Sequence, residues 1–307
     1  MDAYPRTVIH QDPLAYLIGI EGIALLKAFA GEYDRDFTRA RLDDVRRLLD
    51  AAGALGDAVD LEPLTAAAGY DGWAPHYDSP DNGIFVLEEA AIRPILAALP
   101  VGDVVDAACG TGRHIGFLAE LGHRVRGYDI SEGMLAAARD KLPGVSLELA
   151  DVRSLPVAEA SADIVVCSLA LAHVRDLGTV FAEVSRVLRP GGRFVVCDTR
   201  GHYLGATHYP LVEWDPEGNL GYIPGWRHST VDYLQAALAH GFAVRSVDEP
   251  LRGEDVADVA APVPDAVEDP DLPPNIWELH AWAPEAANAA KRDDPVLIVW
   301  DFELVAR

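Results

Sequence analysis

From Val101 onward, short apolar runs alternate with helical patterns along the chain. Alternating strands and helices are typical of a parallel sheet, because each helical crossover returns the chain to the same end of the sheet. This feature predicts an α/β fold and excludes all-helical and all-β architectures. The predicted strands are 104–107, 124–128, 146–149, 164–168 and 193–197.

Helical patterns also come before this region. Asp12 and Pro13 predict a capped helix start, because aspartate caps helices and proline suits the first helical position. Apolar side chains then recur at three- and four-residue spacing, which is the period of a helix with one buried face. The three predicted helices are 13–30, 37–52 and 61–68.

Composition divides the chain into two domains. Residues 1–69 are expected to form a helical extension that covers the substrate or contacts a second copy in a homodimer. An aromatic, turn-rich segment at 70–78 marks the entry to the core domain, which we place at 70–307. After Thr199 the alternation breaks, and we expect a lid from two insertions, 200–227 and the acidic, proline-rich 251–276. Further core elements are predicted at 87–99, 230–240, 242–247 and 296–305.

The chain carries a formal net charge of −24. Such a field repels phosphate backbones and anionic lipid surfaces, so nucleic acid and membranes are poor partners. Three widely spaced cysteines give neither a zinc pattern nor a disulfide framework, and no signal peptide is visible. We therefore expect a cytoplasmic protein with no metal site.

The stretch from Val104 to His114 runs from an apolar strand through a small-residue turn into a helix. Glycines at Gly110 and Gly112 let a ligand approach the backbone, and the helix start presents free N–H groups. A glycine-rich turn also occurs in NAD-binding folds and in tight turns without a ligand. The spacing to Ile115 misses the dinucleotide G-x-G-x-x-G pattern, which disfavours NAD.

Two carboxylates follow at the next strand ends. Asp129 lies 19 residues after Gly110, where an acidic residue can accept both ribose hydroxyls, and Asp151 follows the third strand. There a carboxylate can accept the exocyclic amine of adenine. Each residue alone could equally be a helix cap. Together the three features lie at consecutive carboxyl ends of strands, the edge where open α/β sheets bind ligands.

With these motifs the chain resembles the class I S-adenosylmethionine-dependent methyltransferases, specifically their small-molecule branch. The resemblance covers about residues 70–242 and includes the segments 163–168 and 187–193. It implies a Rossmann-like three-layer sandwich on a mostly parallel seven-stranded sheet with an antiparallel last strand. It also implies S-adenosyl-L-methionine as the cofactor. Ala108 departs from the glycine that many members have there, although alanine also occurs in relatives.

The resemblance further implies roles for the residues along this edge. Asp106 would orient the methionine ammonium, Asp129 would hold the ribose, and Ile130 and Met134 would sandwich the adenine. Tyr70 and Tyr77 match aromatic positions that cover the cofactor, although both could equally be core residues. The full predicted cofactor site is Tyr70, Tyr77, Asp106, Ala108, Gly110, Gly112, Asp129, Ile130, Met134, Asp151, Val152, Ser168 and Leu169.

His173 is the candidate catalytic base, because it lies just beyond the fourth strand of the core and its imidazole can accept a proton near neutrality. Alternatively it packs over the cofactor or caps the next helix. Aromatic residues of the first insertion are expected to line the acceptor pocket. The predicted substrate-binding residues are His202, Tyr203, Tyr222 and Trp226.

These residues favour methyl transfer to an oxygen or nitrogen of a small, specialised metabolite. A second hypothesis is a protein or peptide methyltransferase. A third, from another class, is a protein that binds the cofactor for regulation or for chemistry other than methyl transfer.

Overall fold

The computed structural model describes residues 8–79, 82–200, 210–251, 255–267 and 276–305. Its strands in chain order are β1 (Ile9–Gln11), β2 (Val59–Pro63), β3 (Asp103–Ala107), β4 (Arg124–Asp129), β5 (Ser146–Leu149), β6 (Ala162–Ser168), β7 (Leu188–Thr199), β8 (Leu211–Trp214), β9 (Leu220–Ile223), β10 (Phe242–Asp248) and β11 (Leu297–Leu304). Within these ranges, no helix is long and apolar enough to cross a membrane.

The helices separate these strands. In chain order they are α1 (Pro13–Phe29), α2 (Arg35–Asp50), α3 (Ala66–Trp73), α4 (Ile84–Ala97), α5 (Arg113–Glu120), α6 (Glu132–Lys141), α7 (Leu177–Val187), α8 (Thr230–Ala239), α9 (Ile276–His280) and α10 (Pro284–Lys291).

Seven strands form the central sheet in the order β10-β11-β7-β6-β3-β4-β5. The neighbours from β7 to β5 pair in parallel, whereas β11 pairs antiparallel with both β7 and β10. The predicted α/β class, the mostly parallel sheet and the antiparallel last strand are therefore confirmed. Because β3 lies between β4 and β6, the carboxyl ends of these strands form one continuous edge.

The central sheet is buried on both faces, which is why its strands read as continuous apolar runs. On one face α7 and α8 pack on the sheet, and the ring of Phe181 in α7 meets Phe194 of β7 and Phe302 of β11 edge to face at about 5 Å. On the other face α4 contributes Ile92 and Leu96 to a second apolar cluster. These two layers fix the sheet edge on which the candidate site is built.

A second, four-stranded sheet has the order β1-β2-β9-β8. The prediction of a third helix at 61–68 was wrong, since β2 occupies Val59–Pro63 and α3 begins only at Ala66. Asp60 and Glu62 alternate with apolar neighbours, which is a strand pattern, and β2 pairs with β1 on one side and β9 on the other. The amino-terminal extension is thus partly strand.

The first insertion is also more regular than predicted. Residues 211–223 form an antiparallel hairpin of β8 and β9, closed by a turn in which the Gly218 N–H donates to the Asp215 carbonyl at 3.0 Å. Gly218 adopts the left-handed conformation, with φ of +83°, that such a turn requires. Residues 201–209 of the insertion lie outside the described residues.

The helices of the amino-terminal extension pack against α9 and α10 rather than against the edge of the central sheet. Leu17 and Ile20 of α1 share a buried cluster with Trp282 and with the alanines of α10. The described part of the second insertion, 255–267, joins this cluster, because Asn288 Oδ1 accepts from the N–H groups of Val256 and Ala257. The predicted lid role of 251–276 remains a prediction.

Candidate active site

The turn after β3 is built from left-handed residues. The φ angles are +64° at Ala108, +52° at Gly110 and +83° at Gly112, and α5 begins at the next residue. Alanine reaches this region only at a cost, and the Cys109 N–H, which donates to the Tyr128 carbonyl at 2.9 Å, secures it. Space is open above Gly110, where an added Cβ would meet only the Tyr77 ring, at 3.9 Å.

Asp106 is the last residue but one of β3, below this turn, and is 1% exposed. Its Oδ2 has no hydrogen-bond partner among the described residues, and burial raises its pKa to about 6. A buried carboxylate oxygen without a donor is costly. The geometry is therefore that of a site for an ammonium or another donor brought by a ligand.

Asp129 ends β4 beside the same turn. Its Oδ2 accepts the Gly110 N–H at 2.8 Å, and its Oδ1 accepts the Ser131 N–H at 2.9 Å. Burial raises its pKa, against the effect of these backbone donors. A carboxylate has about four acceptor positions, so two remain for hydroxyl groups of a ligand. The predicted ribose contact has a buried, oriented acceptor to use.

Asp151 has a partner within the chain, and its predicted adenine contact stays a prediction. It binds Arg153 through both oxygens, with Nε at 2.9 and 3.1 Å, and the hydrogen bonds from Arg153 lower its pKa. The structure therefore gives Asp151 a local partner where the sequence suggested an adenine contact. Since Arg153 is exposed, this ion pair is weak, about 0 to 1 kcal/mol.

The three apolar residues predicted for the adenine differ in accessibility. Ile130 is 41% exposed just after β4, whereas Met134 is buried within α6 and Val152 is partly buried against the main core. Only Ile130 presents a broad apolar surface next to Asp129. The roles of Met134 and Val152 remain predictions.

Ser168 and Leu169 end β6 next to β3. Leu169 adopts a left-handed φ of +55°, and its N–H donates to the Cys197 carbonyl at 2.7 Å. The Ser168 hydroxyl donates to Glu88 of α4, so it is directed into the layer below the edge. Its predicted contact with the methionine moiety stays a prediction.

Glu88 organises a buried charged cluster that could not be predicted from the sequence. Its Oε1 accepts from His114 Nε2 at 2.6 Å, and its Oε2 accepts from Arg113 Nη1 at 3.0 Å. Burial alone would raise the Glu88 pKa, but His114, Arg113 and Ser168 outweigh it and lower the value to about 2. The Arg113 guanidinium also covers the Phe85 ring at 3.8 Å. This cluster fixes the first turn of α5 beneath the glycine turn.

Helix α3 lies across the start of α6. Asp71 Oδ1 accepts from the Ser131 hydroxyl at 2.5 Å and from the Gly133 N–H at 2.8 Å. On the opposite side, a Cβ added to Gly72 would lie 1.8 Å from the Trp214 carbonyl oxygen. Helix α3 is thus clamped between α6 and the β8–β9 hairpin.

The clamp places an aromatic cluster above the sheet edge. The Tyr70 ring lies 5.8 Å from Trp73 and 6.2 Å from Tyr77, and the Trp73 and Tyr77 rings are 4.9 Å apart. Burial raises the pKa of Tyr77 to about 12 and raises that of Tyr70 well above its ordinary value. Both hydroxyls are therefore neutral at physiological pH.

His173 lies in a short 3-10 turn, 171–173, after β6. Its Nδ1 is 2.9 Å from the Pro224 carbonyl oxygen, and its Nε2 is 3.0 Å from the Tyr70 hydroxyl. Burial lowers its pKa, so the imidazole is neutral at neutral pH. The structure brings His173 and Tyr70 together, a pairing that neither residue's position in the sequence revealed.

Asp198 at the end of β7 anchors this turn. Its Oδ2 accepts the Ala172 N–H and its Oδ1 accepts the Thr199 N–H, both at 2.7 Å. The residue is buried, and burial raises its pKa to about 7. Asp198 was not among the predicted site residues, although it is an acidic residue at a strand end, as Asp106 and Asp129 are.

The predicted substrate residues fall into three groups. Tyr222 has no exposed surface and packs inside the small sheet, so no acceptor reaches it in this conformation. Trp226 is partly buried, and its backbone N–H donates to the Ala172 carbonyl at 2.7 Å, beside the His173 turn. His202 and Tyr203 lie outside the described residues. Metal-binding groups of three or more His, Cys, Asp or Glu are absent from the described part of the chain.

Residues 105–196 match the family described as "Methyltransferase domain". Among curated proteins, the chain is 32% identical over 145 residues to demethylmenaquinone methyltransferase of Renibacterium salmoninarum and 34% identical over 144 residues to that of Beutenbergia cavernae. Each alignment covers 46% of this chain, and 61% and 60% of the relatives. The chain thus spans less than two thirds of their length.

Solved structures share the fold. A DhpI–SAH complex superimposes with a TM-score of 0.52 at 21% identity, covering 78% of this chain and 94% of that one. The PH0226 protein of Pyrococcus horikoshii gives a TM-score of 0.50 at 19% identity, covering 75% and 95%. Residues 105–196 thus carry a methyltransferase domain, and the strand order of the central sheet is that of the Rossmann-like methyltransferase fold.

Proposed function

We propose that this protein transfers the methyl group of S-adenosylmethionine to an oxygen or nitrogen atom of a small molecule. The observation that carries the proposal is the pair of buried carboxylates at adjacent strand ends. Asp106 has an oxygen without a partner among the described residues, and Asp129 is oriented by two backbone donors beside the open glycine turn. These groups match the ammonium and the ribose of this cofactor.

The chain's own residues mainly position the reactants. When bound, S-adenosylmethionine supplies an electrophilic methyl group on its sulfonium. Asp106 would accept the ammonium, Asp129 would accept the ribose hydroxyls, and Gly110 would let the cofactor lie against the backbone. Positioning can lower a barrier by about 7 to 11 kcal/mol in favourable intramolecular cases, so no further catalytic group is needed for a nucleophilic amine.

A hydroxyl acceptor needs a base in addition. His173 is neutral and lies at the same sheet edge, which suits it to take up a proton. General base catalysis is worth about 10²- to 10⁴-fold. We therefore propose His173 for this role with oxygen acceptors.

A small-molecule acceptor is favoured by two independent observations. The relatives at 30% identity and above include demethylmenaquinone methyltransferases, whose name refers to a small molecule. The charge of −24 disfavours nucleic acid. The homodimer, the cytoplasmic location and the covering role of the amino-terminal extension remain predictions.

Titration calorimetry with S-adenosylmethionine and S-adenosylhomocysteine tests the cofactor assignment, and turnover of methyl-labelled cofactor tests the reaction. We expect label to enter a small-molecule extract, and not a polypeptide extract, with release of S-adenosylhomocysteine. Label in polypeptides would support the protein methyltransferase hypothesis instead. Cofactor binding without any turnover would indicate a noncatalytic role.

A further inference from the structure

We infer that Tyr70 is a catalytic residue that contacts the acceptor hydroxyl and relays its proton to His173. This inference rests on the proposed function and names the group that touches the acceptor. It is carried by the hydrogen bonds on the two nitrogens of His173 and by the contacts that fix both residues.

The direction of each hydrogen bond follows from the chemistry of the partner. The Pro224 carbonyl can only accept, so His173 Nδ1 carries the hydrogen across the 2.9 Å contact. A neutral imidazole then has its lone pair on Nε2. The Tyr70 hydroxyl, 3.0 Å away, therefore donates to Nε2.

This arrangement changes which residue can meet a substrate. The Nε2 lone pair, which His173 would need for a direct contact with an acceptor, is already engaged by Tyr70. The phenolic oxygen keeps two lone pairs and can accept a hydrogen bond from an acceptor hydroxyl. Tyr70 and His173 are both partly buried, and the other nitrogen of the His173 ring is turned to the backbone of Pro224, so neither ring nitrogen is free to contact an acceptor.

Both members of the pair are held by independent contacts. Tyr70 lies on α3, which Asp71 ties to α6 and Gly72 seats against β8. The His173 turn is tied to β7 by Asp198. Such fixed geometry is what a proton relay needs, because transfer requires donor and acceptor at hydrogen-bond distance.

The surroundings keep the pair neutral before the reaction. Burial raises the pKa of Tyr70, and the charges of Tyr77, Asp198, Asp129 and Glu213 add to this effect. These surroundings disfavour a free tyrosinate, so we expect proton transfer to be concerted with attack on the methyl group.

The step balances without any further reactant. As the acceptor oxygen bonds to the methyl carbon, the C–S bond breaks and its electron pair stays on sulfur, which becomes a thioether. The acceptor proton moves to the Tyr70 oxygen, and the Tyr70 proton moves to His173 Nε2. The positive charge of the sulfonium ends on the imidazolium, and Tyr70 is regenerated.

The test compares wild type with Tyr70→Phe and His173→Gln in single turnover with methyl-labelled S-adenosylmethionine. Phenol and catechol serve as hydroxyl probes and aniline as an amine probe. Glutamine can keep both hydrogen bonds of His173 but has no basic nitrogen. Tyr16→Phe is the matched control, because it removes a tyrosine–histidine hydrogen bond of 2.8 Å, to His280, away from the sheet edge.

We expect both site variants to lower the methylation rate of the hydroxyl probes by about 100-fold, and the double variant to lower it no further. Cofactor affinity, aniline methylation and the Tyr16→Phe rates are expected to change less than about threefold. In wild type the rate should fall as pH drops through the lowered pKa of His173, and this acid limb should vanish in His173→Gln. A merely structural role of Tyr70 would instead lower aniline methylation equally.

A second readout does not depend on turnover. Nitrogen-15 NMR of the imidazole should show hydrogen on Nδ1 and a bare Nε2 in wild type, with titration below the ordinary histidine pKa. Hydrogen on Nε2 at neutral pH, or wild-type hydroxyl methylation by Tyr70→Phe, would overturn the inference while leaving the proposed function intact. Failure of the wild type to bind S-adenosylmethionine would overturn both. If none of the probes is methylated, hydrogen on Nε2 in the NMR spectrum would still overturn the inference, and a bare Nε2 would support the Tyr70–His173 hydrogen bond on which it depends.

Discussion

The Gly110 N–H donates to Asp129 Oδ2 at 2.8 Å, so the turn after β3 and the end of β4 are joined by a charge-assisted hydrogen bond. Charge-assisted bonds are roughly twice as strong as neutral ones. Asp129 therefore shapes the glycine turn before any ligand arrives, and its remaining lone pairs are aimed by the same contact. The geometry of the turn therefore depends on this carboxylate, and under the proposed function cofactor binding would depend on it as well.

Asp129→Ala is expected to weaken S-adenosylmethionine binding by at least about 100-fold. Each hydrogen bond to a charged group contributes about 1.5–3 kcal/mol, and the variant loses two ribose contacts together with the order of the turn. Asp129→Asn, which keeps one acceptor oxygen, should lose less. Calorimetry provides the measurement, with exposed Asp140→Ala on α6 as the control. Unchanged affinity in Asp129→Ala would remove the ribose assignment.

Glu88→Gln is expected to destabilise the fold by about 3–5 kcal/mol at pH 7, because it leaves Arg113 and His114 without their buried counter-charge. Equilibrium unfolding in urea gives the free energy of unfolding. Glu89→Gln is the control, since Glu89 binds the same Arg113 from a partly exposed position. The free energy of unfolding of Glu89→Gln should fall by less than about 1 kcal/mol.

The Glu88 carboxylate also leads to a predicted pH dependence of the unfolding free energy. Its pKa is about 2 in the fold and 4.5 in the unfolded chain, so its contribution is present above pH 4.5 and is lost as pH falls toward 2. The full loss is about 3 kcal/mol. Urea titrations across this pH range should show a steeper decline for wild type than for Glu88→Gln. Parallel curves would contradict the assignment.

For Glu21 on α1, the predicted pH dependence of the unfolding free energy has the opposite sign to that for Glu88. It has no exposed surface, its carboxylate oxygens have no hydrogen-bond partner among the described residues, and Arg41 Nε lies 3.7 Å away. Burial raises its pKa from 4.5 to about 7, although Arg41 opposes the shift. Its stabilising contribution is therefore fully present below pH 4.5 and is lost as pH rises through 7.

Glu21→Gln should remove this dependence. Between pH 4.5 and 8, wild type should lose up to about 3 kcal/mol of unfolding free energy that the variant keeps, because glutamine does not ionise. Urea unfolding at both pH values measures the difference. Asp43→Asn, an exposed substitution on α2, controls for general charge effects. Equal pH dependence in Glu21→Gln and wild type would show that Glu21 stays ionised in the fold.

The core elements followed from the sequence because their signals are local. The strand at 146–149 matches β5, and 124–128 and 104–107 differ from β4 and β3 by one residue. By contrast, β2 and the β8–β9 hairpin were missed. β2 pairs with β9 across about 160 residues of chain, and no local pattern reports such a partner. β8 and β9 pair locally, but their strands have only four residues each, which is too short for a clear alternating pattern.

The site was predictable to the same extent. Asp106 and Asp129 were predicted because acidic residues at the carboxyl ends of strands lie on the ligand-binding edge of the sheet. Asp198 has the same position in β7, so it could have been predicted on the same ground. Glu88 lies on α4, and only the packing of that helix on the sheet brings it to His114 and Arg113. Likewise, the contact of Tyr70 with His173 joins residues 103 positions apart. Strand ends are readable from sequence, whereas their partners on packed helices are not.

The close approach of α3 to β8 gives the last prediction. In Gly72→Ala the new Cβ would lie 1.8 Å from the Trp214 carbonyl oxygen, so helix and hairpin have to separate. Such overpacking costs about 1–3 kcal/mol, measured by urea unfolding. Because α3 carries Tyr70, the tautomer and titration of His173 should shift in the NMR spectrum as well.

The matched control is Gly19→Ala in α1, where no atom lies within 4 Å of an added Cβ. There alanine is expected to stabilise the helix by about 0.5–1 kcal/mol, because it loses less backbone entropy than glycine. The His173 spectrum should stay unchanged in this variant. If Gly72→Ala were as stable as Gly19→Ala, the hairpin would not clamp α3, and the fixed position of Tyr70 would need another cause.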